Sequence, residues 1–162
     1  MTEIVVEQRI RASVSTVYAY LTEADLWKRW QGVDATLDAR VGGIFSMLMA
    51  NGMNARGEFL ELVPDRRVVL TWGWVDHPGI PMGSTTVEIE LRPDGAETVL
   101  VLTHRSVPDD EMELHRIGWA HYLPRLALAA SGVDPGEDRG PESLPANPAD
   151  TAGQSGTDGS AS

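Results

Sequence analysis

The chain has 162 residues, no cysteine and a formal net charge of −11 at pH 7, so it is acidic and long enough for one domain with a core. The missing cysteines exclude disulfides, thiolate catalysis and cysteine-based metal sites, and the negative charge disfavours nucleic acid and anionic membranes as partners. The start Met1-Thr2-Glu3 lacks the basic character of a signal peptide, and no apolar run could span a bilayer, so we expect a cytoplasmic protein.

The first third of the chain mixes strand-like and helical patterns. Residues Ile4–Ile10 predict a strand, and Ser13 is a good N-cap for a short helix with apolar residues at helical spacing. Residues Ala24–Trp30 predict a second short helix, whose tryptophans are most simply interpreted as core anchors.

Alternation with a period of two follows, interrupted by turn signals, of which Asn51-Gly52 is the strongest. It predicts six strands: Val33–Ala39, Ile44–Ala50, Ala55–Val63, Arg67–Val75, Ser84–Arg92 and Glu97–Arg105. In the last strand Leu100, Leu102 and His104 share one face, which we assign to the concave side of the sheet.

The longest helical pattern covers Asp109–Ala130, with Asp109 as the expected N-cap and a bend expected at Pro124. One face of this helix is an apolar stripe flanked by His115 and Tyr122; its members are Met112, Trp119, Leu123, Leu126 and Ala130. Such a stripe is typical of a helix that packs on a sheet.

This order of elements predicts an α+β fold, in which a curved antiparallel sheet of about seven strands wraps around the long C-terminal helix. Two short helices follow the first strand. We expect residues 1–131 to form this domain, and residues 132–162 to be a disordered, acidic tail rich in Pro, Gly and Ser. Truncation after Gly132 is expected to leave thermal stability almost unchanged.

The chain resembles the helix-grip fold of the START-like, SRPBCC superfamily over about residues 3–131. Within it, the chain is most similar to the polyketide cyclase-like domain family homologous to the activator of the ninety-kilodalton heat-shock ATPase. The likeness is carried by Ile10-Arg11-Ala12-Ser13, Trp27–Trp30, Val41–Phe45, Gly57–Pro64, Val69–Trp72, Leu100–His104, and Gly118-Trp119 with Leu123 and Leu126. The resemblance implies a cavity between sheet and helix that often takes an apolar small molecule.

Aromatic and methionine side chains on the predicted inner face suit an adaptable apolar pocket, although they also suit an ordinary core. The predicted lining of the cavity is Trp30, Phe45, Met47, Met49, Phe59, Trp72, Trp74, Leu100, Leu102, His104, His115, Gly118, Trp119 and Tyr122. Charged candidates at its edge are Arg56, Glu58, Glu61 and Arg125, for which exposure to solvent is the simpler interpretation.

We expect no metal, no cofactor and no catalytic residue. His115 and His121 lie on different faces of the helix, and Gly42-Gly43 lacks the lysine and the helix of a phosphate-binding loop. His104 at the cavity wall is either an acid–base group or a histidine paired within the structure.

The superfamily contains lipid carriers, hormone receptors, cyclases and co-chaperones, so the fold alone does not choose a function. The first hypothesis is a non-catalytic protein that encloses a small apolar, lipid-like or polyketide-like ligand. The alternatives are a protein-interaction module that modulates a chaperone or a transcription regulator, and a cyclase or dehydratase that uses His104 and Tyr122. We expect a monomer or a homodimer.

Overall fold

The computed structural model describes residues 2–141. Within this range seven strands and three α-helices follow the predicted order, which confirms the α+β class. The elements are β1 (Thr2–Ile10), α1 (Val14–Tyr20), α2 (Ala24–Trp27), β2 (Asp34–Leu37), β3 (Ile44–Leu48), β4 (Asn54–Val63), β5 (Arg67–Trp72), β6 (Thr85–Asp94), β7 (Glu97–Val107) and α3 (Met112–Ala130), with a short 3₁₀ helix (Asp109–Glu111) before α3.

The strands form one antiparallel sheet in the order β1-β7-β6-β5-β4-β3-β2. From β2 to β7 each strand pairs with the next along the chain, and β1 joins the free side of β7. Leu102 and His104 on β7 lie opposite Ile89 and Val87 on β6, and all four side chains are buried. The prediction that Leu102 and His104 point to the interior side of the sheet is therefore confirmed.

The helix α3 lies in the concavity of the sheet and buries Trp119, Leu123 and Leu126. It runs from Met112 to Ala130 with Pro124 inside it. The prediction of Asp109 as the N-cap is wrong, because the chain first forms the 3₁₀ helix. None of the helices in residues 2–141 is long and apolar enough to cross a membrane.

Several predicted elements end earlier than expected, and α2 and β5 each do so by three residues. The helix α2 stops at Trp27 because the N–H groups of Arg29 and Trp30 bond carbonyls three residues back, which tightens the chain into turns. The strand β5 stops at Trp72, since the next residues pair with the loop that follows them: the N–H of Trp74 bonds the carbonyl of Ile80 at 2.8 Å.

Glycine is required at two places in the β3–β4–β5 region. Gly52 has φ +90° in the turn predicted from Asn51-Gly52, which is closed by a 2.8 Å bond from Met49 N to Met53 O. At Gly57 a Cβ atom would lie 1.9 Å from the carbonyl oxygen of Thr71. Only glycine therefore allows β4 and β5 to approach as closely as they do.

The chain stays packed after α3. Asp138 is 6% exposed, and its carboxylate accepts a bond of 2.6 Å from the N–H of Gly32 and one of 3.1 Å from the hydroxyl of Tyr122. The sequence analysis expected disorder from Gly132 onwards, because composition gives no sign of one well-anchored carboxylate. Truncation after Gly132 would remove the bonds of Asp138, so we now expect it to lower stability rather than leave it unchanged. The rest of the predicted tail, residues 142–162, lies outside the described residues.

Candidate functional site

The residues predicted to line a cavity come together between the concave face of the sheet and α3. Phe45 lies at the centre of an aromatic cluster, with its ring centroid 5.1 Å from that of Trp27, 6.3 Å from Phe59 and 5.6 Å from Trp72. Of the predicted lining residues only Trp74 and Gly118 are partly exposed; the others are buried.

The interior at these residues is filled by side chains. Phe45, Met47, Phe59, Leu100 and Leu102 each have an exposure of 0%. A cavity that held even one water molecule would leave accessible area on the side chains that line it. No such cavity therefore touches these five side chains, which belong to the packed core.

Open clefts lie elsewhere on the described surface. A cleft of about 670 Å³ lies between α2, the end of α3 and the C-terminal segment, lined by Tyr20, Lys28, Arg29, Gly32, Val33, Ala129 and residues 132–138. A second, of about 620 Å³, lies on the other side of α3, lined by Ile117, Ala120, His121, Arg125, Glu137, Arg139, Gly140 and Pro141. Neither includes any of the predicted lining residues.

His104 is fully buried, and both of its ring nitrogens are engaged. The indole N–H of Trp119 donates to Nδ1 at 3.0 Å, so Nδ1 carries no proton and the proton is on Nε2. Nε2 lies 2.7 Å from Oγ1 of Thr85, which in turn donates to the carbonyl of Trp72. Burial, and to a smaller extent the neighbouring His115, lower the pKa of His104 to about 3.

His115 forms the mirror arrangement on α3. The indole N–H of Trp74 donates to its Nε2 at 3.1 Å, and its Nδ1 lies 3.0 Å from the carbonyl oxygen of Glu111. The proton is therefore on Nδ1, and burial lowers the pKa of this imidazole. The rings of His104 and His115 lie 5.4 Å apart, which disfavours charge on both.

These bonds determine what the two histidines can do. Each is a neutral ring in a fixed tautomer, with one nitrogen accepting from an indole and the other donating within the structure. A proton added to either ring would face an indole N–H. The arrangement favours histidine paired within the structure over the acid–base role considered for His104.

Tyr122 is turned towards the C-terminal segment and donates to Asp138. Burial, followed by this carboxylate, raises the pKa of its hydroxyl. Beside it, the guanidinium of Arg125 donates to the carbonyl oxygens of Trp30, Pro135 and Gly136. Asp138 was missed by the sequence analysis, and no pattern around it distinguishes it from the other acidic residues of this region.

Among the charged candidates, Arg125 alone takes part in this packing. Arg56, Glu58 and Glu61 are exposed, as the simpler interpretation expected. Within residues 2–141 no group of three or more His, Asp or Glu side chains is placed to hold a metal ion.

Trp72 differs from the other tryptophans of the interior. It is 2% exposed, yet its indole N–H has no hydrogen-bond partner in the described structure. Its ring is surrounded by those of Trp74 at 5.5 Å, Trp119 at 5.4 Å and His104 at 6.2 Å. A buried donor without an acceptor is uncommon in folded proteins and destabilises them.

A known family covers most of this fold. The family described as activator of Hsp90 ATPase homolog 1-like protein matches residues 11–130, which contain the sheet from β2 to β7 and all of α3. The chain belongs to this family. The resemblance that the sequence analysis found is confirmed.

Among curated relatives, the human protein named activator of 90 kDa heat shock protein ATPase homolog 1 is 29% identical over 120 residues. These residues are 74% of this chain but 34% of the human protein. The chain thus spans about a third of the length of the curated relatives that it matches.

Solved structures of similar chains share most of the fold. The Aha1 dimer from Colwellia psychrerythraea is 26% identical with a TM-score of 0.71, and the match covers 82% of this chain and 98% of that one. CalU16 from Micromonospora echinospora is 28% identical with a TM-score of 0.67, and the match covers 80% of this chain and 76% of that one.

Proposed function

We propose that this chain is a non-catalytic binding protein that contacts and modulates an ATPase of the ninety-kilodalton heat-shock type. The family to which it belongs and the name of its human relative support this partner. The observation that carries the proposal is the filled interior, since Phe45, Phe59 and Leu102 are fully buried in a core cluster that also includes Trp119, Leu123 and Leu126 of α3. A packed interior supports function at the surface rather than in an enclosed space.

The paired histidines support the non-catalytic part of the proposal. His104 and His115 already use both ring nitrogens, and Tyr122 donates its hydroxyl proton to Asp138. A general acid or base needs a ring nitrogen or hydroxyl that reaches the substrate. The enzyme hypothesis based on His104 and Tyr122 therefore has no support from this geometry.

Three exposed apolar side chains, one in the turn before β3 and one each on β3 and β4, are the contact surface that we would test. Val41 is 70% exposed, Ile44 45% and Leu60 43%. Backbone bonds from Gly42 N to Phe59 O and from Phe59 N to Gly43 O bring the two segments that carry these side chains together. Clustered exposed apolar side chains are typical of protein-binding surfaces.

The test is the steady-state rate of ATP hydrolysis by the purified heat-shock ATPase of the source organism, measured while this chain is added in increasing amounts. We expect a saturable change in the rate. The variant Ile44→Glu should weaken it, because a carboxylate at the contact would be desolvated without a partner.

The matched control is Val5→Glu, which introduces the same charge at a side chain that is 59% exposed on β1, at the far edge of the sheet. It should behave like the unmodified chain. A hydrolysis rate that is the same at all concentrations of this chain would contradict the proposed function, whereas equal effects of the two variants would contradict only the proposed surface.

A further inference from the structure

The polypeptide that follows α3 is held to the domain by polar bonds rather than by apolar burial. This C-terminal segment, residues 133–141, has one large aliphatic side chain, Val133, which is 51% exposed. Of its residues only Asp138 is buried. A few polar bonds therefore decide whether the segment stays docked.

The domain offers this segment a site for one carboxylate. The N–H of Gly32 donates to Oδ2 of Asp138 at 2.6 Å, and the hydroxyl of Tyr122 donates to Oδ1 at 3.1 Å. Hydrogen bonds to an ionised acceptor are stronger than those between neutral groups. An amide could not accept both bonds through two oxygens, because its NH₂ group only donates. The site therefore selects a carboxylate.

Arg125 binds the main chain of the same segment. Its Nη1 and Nη2 atoms donate to the carbonyl oxygens of Pro135 and Gly136 at 3.0 and 2.8 Å, and its Nε atom donates to the carbonyl of Trp30 at 3.0 Å. Main-chain carbonyls are present in every peptide, so the two bonds to the segment do not depend on its side chains. What the site requires is an aspartate two residues after the second carbonyl.

The groove that holds the segment is wider than the segment itself. The clefts of about 670 and 620 Å³ lie on its two sides, and Glu137 lines both. Lys28 and Arg29 line the first cleft, and among the described residues neither forms an ion pair with an acid of the segment. Lys28 pairs with the exposed Asp25, and Arg29 bonds the hydroxyl of Tyr20. These two cations are available to an acidic chain.

We propose that this groove binds an acidic segment of a protein partner, and that residues 133–141 occupy it until that segment replaces them. The partner's aspartate would accept the bonds that Asp138 accepts now, and its main chain would bond Arg125. Further acids of the partner would face the cations of the first cleft. This site goes beyond the proposed function, because it is separate from the contact surface on β3 and β4.

The occupant is a different protein rather than a second copy of this chain. A tethered segment has the advantage of a high local concentration, so a competitor must make contacts that the tethered segment does not make. A second copy would bring the same residues 133–141 and no additional contact. It would also bring its own net charge of −11 towards a chain of equal charge.

The experiment uses a fluorescent nine-residue peptide with the sequence of residues 133–141, whose contacts are known, as the probe. Its dissociation constant is measured by fluorescence anisotropy for the unmodified full-length chain and for full-length Asp138→Ala. We expect binding to Asp138→Ala to be tighter by about tenfold or more, because the tethered segment of this variant has lost its carboxylate and competes less.

Three further peptides test the chemistry of the site on Asp138→Ala. The Asp138→Asn peptide should bind about tenfold more weakly. The Glu137→Gln peptide is the matched control and should bind like the probe, because it removes the same charge from an exposed side chain that pairs only within the segment. The Val133→Glu peptide adds a carboxylate at a position that lines the first cleft, so it should bind about threefold more tightly.

The amide resonance of Gly32 in the Asp138→Ala chain reports the site directly. It should shift when the probe is added and much less with the Asp138→Asn peptide, and the same NMR spectrum shows whether the variant is folded. In the unmodified chain this resonance should respond only at higher concentrations of the probe.

Three results would overturn the proposal. Equal losses for the Asp138→Asn and Glu137→Gln peptides, with an unmoved Gly32 resonance, would rule out a carboxylate site. No gain for the Val133→Glu peptide would rule out the preference for an acidic partner. A species of twice the mass in sedimentation of Asp138→Ala mixed with the unmodified chain would identify a second copy as the occupant. None of these measurements involves the heat-shock ATPase, so the proposed function stands or falls separately.

Discussion

The buried imidazole of His104 makes the stability of this protein depend on pH in a predictable direction. Its pKa is about 3 in the folded chain and 6.5 in the absence of perturbation. Below pH 6.5 the unfolded chain therefore binds a proton that the folded chain does not bind, which stabilises the unfolded state. As the pH is lowered from 6.5, the free energy of unfolding therefore decreases. The decrease stops near pH 3, where the folded chain is protonated as well.

The size of this effect follows from linkage. One proton bound only by the unfolded chain changes the free energy of unfolding by about 1.4 kcal/mol per pH unit. Between pH 7 and pH 5 His104 alone should thus lower stability by about 2 kcal/mol, and this value holds for any folded-state pKa below about 4. The lowered pKa of His115 acts in the same direction.

The assay is urea denaturation at pH 7 and pH 5 for the unmodified chain and for His104→Asn. The Asn Oδ1 atom occupies the place of Nδ1 and still accepts from Trp119, but the side chain does not titrate. The variant should lose about 2 kcal/mol less than the unmodified chain over this range, because the carboxylates contribute alike to both. Equal losses, or an imidazole of His104 that titrates near its ordinary pKa by NMR, would refute the reasoning.

Two further predictions concern packing. Asp138→Ala removes the acceptor of Tyr122 and of a buried backbone N–H, so it should lower the free energy of unfolding by about 2 kcal/mol in denaturant titrations. Asp134→Ala, on an exposed side chain of the same segment, should have little effect. Equal effects of the two variants would argue against docking of Asp138. Gly57→Ala would place a Cβ atom 1.9 Å from a backbone oxygen of β5 and should lower the free energy of unfolding by about 3 kcal/mol in the same assay. As a control, the Cβ atom of Gly118→Ala meets no atom within 4 Å, so this variant should not be destabilised. A Gly57→Ala variant of unchanged stability would contradict the close approach of β4 and β5.

The fold could be predicted because its signals are local and periodic. Alternation with a period of two placed Leu100, Leu102 and His104 on one face; all three are buried, and His104 bonds Trp119 of α3. The N-cap Ser13 accepts from the N–H of Thr16, as its position before a helical pattern indicated. Such features depend on residues a few positions apart, which a sequence displays directly.

For the candidate site, the sequence could predict which residues come together in the interior but not how they bond and pack. The tautomer of His104 depends on Trp119 and Thr85, which the fold brings together from distant segments, so no spacing reveals it. Whether aromatic side chains enclose a space or fill it depends on how rings pack, and composition is the same in both cases. Asp138 was missed because an acidic segment rich in proline and glycine gives no sign that one carboxylate docks.

The most direct test of the proposed function is sedimentation velocity of this chain mixed with the heat-shock ATPase of its source organism. The account predicts that the chain moves with the ATPase as one faster species at a fixed ratio, and that Ile44→Glu reduces this fraction while Val5→Glu leaves it unchanged. Two boundaries that sediment independently at every concentration tested would contradict it.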